Sequence, residues 1–298
     1  MNSPIRPARL KIGLISAGKV GAVLGAALRS AGHTIAGLHA VSEASRTRAD
    51  ALLPGVPVLT VPEIIEQSEV ILLAVPDDAL PGLVTGIAQT DGWRSGQILI
   101  HTSGRHGTNV LAPATAQGAI GLAIHPAMTF TGLSLDLARL NSTSFGVTGP
   151  APFLPIAQAL AVEMGGEPVI IAEGDRPLYH AALAHGANHL VTVTGQALQI
   201  LSSIGIENPA RYIEPLLRAS LDNALASGEN ALTGPVVRGD AHTVAAHAQT
   251  LANYALEEGA EDIPTAYLAL AKATAQRAYT RGALTQEQYH SVLSALAG

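Results

Sequence analysis

The segment from Lys11 to Gly32 constrains the fold of this chain more than any other. Residues 11–15 form a short apolar run, a glycine-bearing turn follows, and an alanine-rich stretch typical of a helix continues to Gly32. A strand, a tight turn and a helix in this order are the context in which a GxGxxG-like pattern indicates a dinucleotide site. The segment therefore predicts the first βα unit of a doubly wound α/β domain.

Glycines fill two of the three places of that pattern. Gly18 stands where the backbone approaches a pyrophosphate and Gly21 where helix and strand pack closely, whereas Ser16 replaces the glycine of the tight turn. A serine still permits a turn and offers a hydroxyl to a phosphate. The helix dipole favours an anion here, and the predicted cofactor contacts are Ser16, Ala17, Gly18, Lys19, Val20 and Gly21. Alternatively, the segment is a packed corner that binds no ligand.

The end of the second predicted strand, residues 34–39, carries no acidic residue. NAD enzymes place an Asp or Glu about 20 residues after the glycine turn, on the ribose hydroxyls. Here Ser42, Arg46 and Arg48 follow the strand instead. Because arginine binds phosphate in bidentate fashion, this segment favours NADP, which carries a 2′-phosphate. Alternatively, the two arginines lie on the solvated face of the next helix.

Composition excludes several kinds of partner and site. A chain of 298 residues is long enough for two domains, each with its own core. A net charge of −6 without basic runs and an aromatic content of 3% argue against a nucleic-acid-binding surface. The absence of cysteine excludes disulfides, thiolate metal ligands and cysteine nucleophiles.

Two apolar stretches resemble targeting or membrane segments. Lys19 interrupts the first one, and the glycine turn explains that run better than a secretory signal does. The second, from His180 to Ile206, has no charged residue and is long enough to span a membrane, but its histidines and amides argue against a span. We therefore expect a helix buried at a domain or subunit core, in a cytoplasmic protein that has no membrane partner.

Strand and helix patterns alternate up to about residue 172. Further strands are predicted at Val56–Leu59, Val70–Val75, Gln97–His101, Ile120–His125, Ser144–Val147 and Pro168–Ile171. The pattern is that of a Rossmann-type parallel sheet over residues 1–172. Strand signals then stop. Helix starts at Pro177, Asn208, Asp240 and Thr285 predict an all-helical second domain over residues 173–298, with a kink or restart at Pro215.

Polar residues follow three of the predicted strands. Since ligands bind outside the carboxyl ends of parallel strands, this rule selects Pro76 and Asp77, then Thr102 and Ser103, and finally His125. Ser103 would border a nicotinamide, and His125 would donate a proton or orient the substrate. The alternatives are a helix cap at Asp77, an ordinary turn at Ser103 and a structural histidine at position 125.

The first helix of the second domain carries polar residues on an uncharged background. His180 and Asn188 are two turns apart, roughly 12 Å along the axis, so both can border one cleft. His185 and His189 have the spacing of a metal pair, but no neighbouring carboxylate completes a site, and we expect no metal.

Arg238 lies in the glycine- and proline-rich segment 232–240, between apolar residues and Gly239. An arginine in a fixed, irregular backbone suits a carboxylate substrate. Alternatively, Arg238 only pairs with Asp240, which itself is placed to cap the next helix.

Taken together, these motifs resemble the family in which an NADP-binding Rossmann-like domain precedes a DUF2520 domain. The matching segments run in order along nearly the whole chain: Ala17–Gly21, Val75–Asp78, His101–Gly104, His125–Pro126, Thr129–Phe130, Tyr179–Ala182, Asn188, Leu232–Asp240 and His247. The family is similar to pyrroline-5-carboxylate reductases, ketopantoate reductases and β-hydroxyacid dehydrogenases. The resemblance implies an NADP-dependent oxidoreductase with its cofactor cleft between the domains and a homodimer through the helices. It also implies a small 2-oxo acid, or a related carbonyl or imine, as the substrate.

One catalytic position departs from the pattern of β-hydroxyacid dehydrogenases. Those enzymes carry a catalytic lysine four residues before an asparagine; Asn188 matches the asparagine, but Ala184 occupies the lysine place. The resemblance therefore leaves His180 or His125 to supply the proton. Two alternatives stay open: an NADP-binding sensor or assembly protein without turnover, and a deazaflavin-dependent NADP reductase, which shares the N-terminal fold.

Overall fold

The computed structural model describes residues 9–297. Residues 1–8 of the first predicted domain and residue 298 of the second lie outside the described part. The strands of its sheet are β1 (Lys11–Ile15), β2 (Thr34–His39), β3 (Val70–Leu73), β4 (Ile98–His101), β5 (Ile120–Pro126), β6 (Ser144–Thr148) and β7 (Glu167–Ile170). The α-helices are α1 (Lys19–Ser30), α2 (Glu43–Leu52), α3 (Val61–Gln67), α4 (Leu80–Ala88), α5 (Ala112–Thr115), α6 (Leu135–Leu140), α7 (Leu154–Glu163), α8 (Arg176–Ser203), α9 (Pro209–Ser227), α10 (Pro235–Arg238), α11 (Ala241–Glu258), α12 (Asp262–Thr280) and α13 (Gln286–Ala295).

The strands form one mixed sheet in the order β2-β1-β3-β4-β5-β6-β7. All pairings are parallel except that of β5 with β6, which is antiparallel. A doubly wound α/β domain followed by a helical region is therefore confirmed. The chain direction reverses only at β6, so the carboxyl ends of β1, β3, β4 and β5 all meet at one edge of the sheet.

Two local predictions in this domain are wrong. Val56–Leu59 forms only an isolated bridge between Leu38 and Val58 rather than a strand, because Pro57 has no N–H to offer a ladder. Asp77 does not cap α4, since Ala79 stands at the N-cap position without a side-chain hydrogen bond. The alternative that Asp77 is only a helix cap is therefore wrong.

The core of the sheet consists mostly of aliphatic residues that alternate between its two faces. Along β3, Val70 and Leu72 belong to one buried cluster, while Ile71 and Leu73 belong to the other. Such continuous apolar strands are typical of a sheet covered by helices on both faces. Such a core agrees with the aromatic content of only 3%.

The described residues form two compact units that divide inside α8, between Gly186 and Ala187. The predicted domain boundary at residue 172 lies ahead of this helix. In the second unit, Asn208, Asp240 and Thr285 accept hydrogen bonds at the helix starts predicted for them. The helix α9 continues through Pro215 without the predicted restart. Within residues 9–297, no helix combines the length and the apolar character needed to span a bilayer.

Candidate functional site

The turn after β1 places the uncapped start of α1 at the edge of the sheet where the carboxyl ends of the strands meet. Ser16 has a φ of +79°, in the left-handed region where the fingerprint normally has glycine. The N–H of Ala17 donates to the carbonyl of His39 over 3.0 Å, which ties the turn to the end of β2. Gly18 is the N-cap residue of α1, with no side-chain cap and no acidic residue in the first turn.

Different surroundings constrain Gly18 and Gly21 in this turn. A Cβ at Gly21 would lie 2.2 Å from the carbonyl oxygen of Ser16 and 2.8 Å from Cβ of Ala74, so close packing excludes any side chain there. A Cβ at Gly18 would meet only the hydroxyl oxygen of Ser16, at 3.6 Å. The first N–H groups of α1 therefore face a space that the chain itself leaves free, and the residues present fit a pyrophosphate.

The two arginines after β2 lie on different sides of α2. Ser42 caps this helix by accepting from the N–H of Ser45. Nε of the exposed Arg46 donates to the carbonyl of Ala40 at the end of β2, over 3.4 Å. Arg48 instead lies against Gly132, where an added Cβ would be 2.5 Å from its Nε, and it lines an open cavity of about 760 Å³ between α2 and residues 131–135. Residues two positions apart on a helix point in different directions, so Arg46 and Arg48 do not bind one phosphate group together.

The turn after β4 is held by its own hydrogen bonds. Oγ of Ser103 accepts from the N–H of His106 over 3.1 Å, as the ordinary-turn alternative expects. Thr102 donates its N–H to the carbonyl of Leu73 over 3.3 Å. His101 is fully buried, bonded to the carbonyl of Gly107 and to the N–H of Ser103, and burial lowers its pKa to about 4. His101 is therefore a neutral structural residue.

His125, near the end of β5, is the centre of a cluster of rings. Its Nδ1 lies 2.8 Å from the hydroxyl oxygen of Tyr179 on α8. The His125 ring meets the rings of Tyr179 and His180 edge to face, at centroid distances of 5.6 and 6.3 Å. A Cβ at Gly104 would lie 2.8 Å from Cδ2 of His180 and 2.9 Å from Nε2 of His125, so only glycine lets both imidazoles approach this turn.

Arg176 lies beneath this cluster and is completely buried. Its guanidinium donates to the hydroxyl of Thr148 over 2.8 Å and to the carbonyl of Gly146 over 2.9 Å. Longer bonds reach the carbonyls of Ser103 and Ala123, at 3.3 Å each. The described part of the chain provides no carboxylate within salt-bridge distance of this cation. The guanidinium carbon is 5.8 Å from the centroid of the Tyr179 ring.

Burial and the nearby cation set the protonation of the cluster. Burial, with smaller contributions from Arg176 and His180, lowers the pKa of His125 to about 4. Burial raises the pKa of Tyr179, and Arg176 partly opposes that rise. At neutral pH the imidazole of His125 is therefore uncharged and the phenol keeps its proton. The hydrogen bond permits either group as the donor; where the tyrosine hydroxyl donates to Nδ1, the ring proton of His125 lies on Nε2.

Sequence reasoning selected His125 and His180 but missed Tyr179 and Arg176 as functional residues. Tyr179 adjoins His180 within the segment Tyr179–Ala182 that carries the family resemblance, and Arg176 precedes the proline at the start of the helix. Their roles depend on the close approach of α8 to β5, which no local pattern reveals.

The second unit holds the other predicted residues, Asn188 and Arg238. Arg238 is exposed at the end of α10, and it makes no salt bridge within residues 9–297. Asp240 accepts from the N–H and hydroxyl of Thr243 over 3.0 and 2.7 Å, and these bonds lower its pKa. Asp240 therefore acts as the predicted cap. No cluster of three or more potential metal ligands occurs among the residues that the structure describes.

Two family models match the chain in succession. A Rossmann-like domain is matched over residues 1–126 and the domain of unknown function DUF2520 over residues 143–274. No curated protein matches this sequence.

Several solved structures share the fold at low sequence identity. A candidate NADP oxidoreductase from Bacteroides fragilis is 19% identical, with a TM-score of 0.73 over 89% of this chain and 98% of that one. An imine reductase from Pseudomonas sp. is 16% identical, with a TM-score of 0.61 over 97% and 100%. Pyrroline carboxylate reductase of Plasmodium falciparum, with NADP bound, is 12% identical, with a TM-score of 0.54 over 92% and 98%.

These likenesses agree with the glycine turn, the strand order and the helical second unit described above. The two matched domains follow one another as the sequence motifs predicted. The chain thus carries a match to a Rossmann-like domain followed by a match to a DUF2520 domain.

Proposed function

We propose that this protein is an NADP-dependent reductase of a carbonyl or imine group on a small carboxylate, with a 2-oxo acid of the ketopantoate type as the favoured substrate. One observation carries the proposal: the open glycine turn before α1 and the His125–Tyr179 pair lie at the same edge of the sheet. An anion site and a proton donor at one edge are what a dinucleotide-dependent reduction needs. The redox functions of similar structures support the same class.

The bound nicotinamide dinucleotide would supply the hydride, and the chain would hold it by residues along the sheet edge. The hydroxyl of Ser16 and the first N–H groups of α1 take the pyrophosphate. Ser42 and Arg46, beside the end of β2, take the 2′-phosphate. The residues after β3 and β4 border the nicotinamide end, namely Pro76, Asp77, Thr102 and Ser103.

The substrate side of the proposal rests on four polar side chains. His125 and His180 are the candidate proton donors, and Asn188 and Arg238 are the candidate substrate-orienting residues. Arg238 is exposed and has no salt bridge in the described chain, so its fork is available to a carboxylate.

We also propose a homodimer formed through the helical domain. None of the 19 residues of α9 is buried, and Tyr212, Leu216 and Leu225 are among its exposed apolar side chains. Helices in proteins gain most of their stability from packing an apolar face. In a symmetric dimer, the same helices of a second copy of the chain would cover these exposed apolar side chains.

The proposal is tested by following NADPH oxidation with a panel of 2-oxo acids and cyclic imines. We expect steady turnover with at least one small carboxylate. Gly18→Asp should abolish NADPH binding, because it places a side chain and a negative charge at the pyrophosphate. Gly86→Asp is the matched control, since a Cβ there meets nothing within 4 Å.

Two outcomes would replace this proposal. Tight NADPH binding without turnover across the panel would favour a sensor or assembly protein. Reduction of NADP by a reduced deazaflavin, with no turnover of carbonyls or imines, would favour a deazaflavin-dependent reductase.

A further inference from the structure

We propose that Tyr179 and His125 form a two-residue proton relay, in which the tyrosine hydroxyl donates to Nδ1 of His125 and the Nε2–H of His125 donates to the substrate. The inference rests on the proposed reductase function. It assigns the acid of that reaction, which the sequence left open between two histidines, and it adds a tyrosine that the sequence did not select.

The geometry of the pair supports a shared proton. The Nδ1–oxygen distance of 2.8 Å is that of a good hydrogen bond, and the two side chains come from different elements, β5 and α8. A hydrogen bond at one imidazole nitrogen determines which nitrogen carries the ring proton. The relay has the tyrosine hydroxyl as the donor in this bond, which places the ring proton of His125 on Nε2.

His180 lacks such a partner. Its ring contacts His125 edge to face at 6.3 Å, and within residues 9–297 it has no hydrogen bond that would fix its tautomer. A general acid works best when a second group holds its orientation and tautomer. His125 is therefore the proton donor of the two, and His180 packs beside it against Gly104.

Arg176 is the positioning residue of this relay. Its charge is held by neutral oxygens alone, 5.8 Å from the Tyr179 ring, in a fully buried position. Charges interact more strongly in such surroundings than in water. Arg176 would stabilise the negative charge that Tyr179 carries after it gives up its proton.

The step balances without a further reactant. As the carbonyl carbon gains a hydride, the Nε2–H bond of His125 breaks and its proton goes to the carbonyl oxygen. The O–H bond of Tyr179 breaks at the same time, and its proton forms the Nδ1–H bond. His125 stays neutral, Tyr179 becomes a phenolate beside Arg176, and water then returns a proton to it.

The first test reads the tautomer of His125 by nitrogen NMR in the protein without cofactor. We expect the Nε2–H form in the unaltered protein and a mixture of both forms in Tyr179→Phe. Tyr267→Phe is the matched control, because Tyr267 makes the same kind of bond to Nδ1 of His247, over 3.2 Å in the second unit. It should leave the His125 signals unchanged. An Nδ1–H form in the unaltered protein would overturn the relay.

The second test compares kinetics in the same variants. Tyr179→Phe should lower kcat about 100-fold, the usual scale for a general acid, and leave NADPH affinity unchanged. The charged and titratable groups that face the pair are Arg176, His180, Asp77 and His101. Because the relay needs a protonated Tyr179, turnover should fall at alkaline pH in the unaltered protein. This fall should be absent from the residual activity of Tyr179→Phe.

The outcomes separate the relay from the reductase function. If carbonyl substrates are reduced but Tyr179→Phe keeps its kcat and its alkaline fall, the relay alone is wrong. If the unaltered protein reduces no substrate, the reductase function is wrong and the relay fails with it.

Discussion

Ser16 adopts a backbone conformation at the glycine turn that a residue with a Cβ rarely takes. Its φ of +79° costs about 1 kcal/mol relative to glycine. The hydroxyl that it brings lies beside Gly18, over the open start of α1. A strained residue that persists at a candidate ligand site points to a role for its side chain.

Replacing Ser16 by glycine should therefore move stability and binding in opposite directions. We expect Ser16→Gly to raise the free energy of unfolding by about 1 kcal/mol and to weaken NADPH binding by about 0.5 to 1.5 kcal/mol. Asp91→Gly is the control, because Asp91 also has a positive φ, of 51°, outside the site. It should leave the NADPH affinity unchanged, whereas its stability gain is offset by loss of the hydrogen bond from Gln117 to Asp91. An unchanged NADPH affinity in Ser16→Gly would show that the hydroxyl does not contact the phosphate.

The two arginines of α2 make a second prediction at the scale of single residues. Arg46→Met should narrow the preference for NADPH over NADH by about 1 to 3 kcal/mol, the scale of charged hydrogen bonds. Arg48→Met should leave the preference unchanged, because its side chain faces Gly132 and the cavity on another side of the helix. Calorimetric titration with both cofactors measures the two values. Equal NADPH and NADH affinities in the unaltered protein would contradict the 2′-phosphate assignment.

At the scale of elements, Arg176 joins the start of α8 to the turn after β4 and to β5 and β6. The residues that it contacts are 28 to 73 positions away in sequence. An arginine buried in this way, without a carboxylate, is a connection that composition and periodicity cannot predict. The strand β6 was predicted, but its antiparallel direction was not, because the direction of a strand depends on how the chain returns to the sheet.

Loss of the hydrogen bonds made by Arg176 should lower the stability of the folded protein. Arg176→Met leaves the oxygens of Thr148 and Gly146 without their donor, and we expect the free energy of unfolding to fall by about 3 kcal/mol. Arg218→Met removes an exposed pair with Glu214, one helical turn away, and should cost about 0.5 kcal/mol or less. Denaturant titration of both variants provides the comparison. Equal losses would contradict the structural role of Arg176.

For the whole molecule, the sequence predicted most of the architecture and only part of the candidate site. Apolar runs and glycine spacing predicted the strands around β1 and the turn at Gly18, because those signals are local. The caps at Asp240 and Thr285 were predictable for the same reason. The His125–Tyr179 pair was not predictable, since a hydrogen bond between residues 54 positions apart exists only in the folded chain.

The proposed dimer leads to a prediction about assembly. Leu216 and Leu225 on α9 are 65% and 79% exposed, and charging both should convert a dimer into a monomer. Light scattering coupled to size-exclusion chromatography measures the mass of Leu216→Lys/Leu225→Lys. Val162→Lys, at a similarly exposed position on α7, should leave the mass unchanged. A monomeric unaltered protein would contradict the dimer.

The central claim, hydride transfer from NADPH to a small carbonyl or imine, is tested most directly with labelled cofactor. NADPH deuterated at the transferred position of its nicotinamide ring is incubated with the protein and the panel of 2-oxo acids and cyclic imines, and the products are analysed by mass spectrometry. The account predicts a reduced product with deuterium on the former carbonyl or imine carbon, formed much more slowly by Tyr179→Phe. Tight binding of NADPH with no deuterium in any product would contradict it.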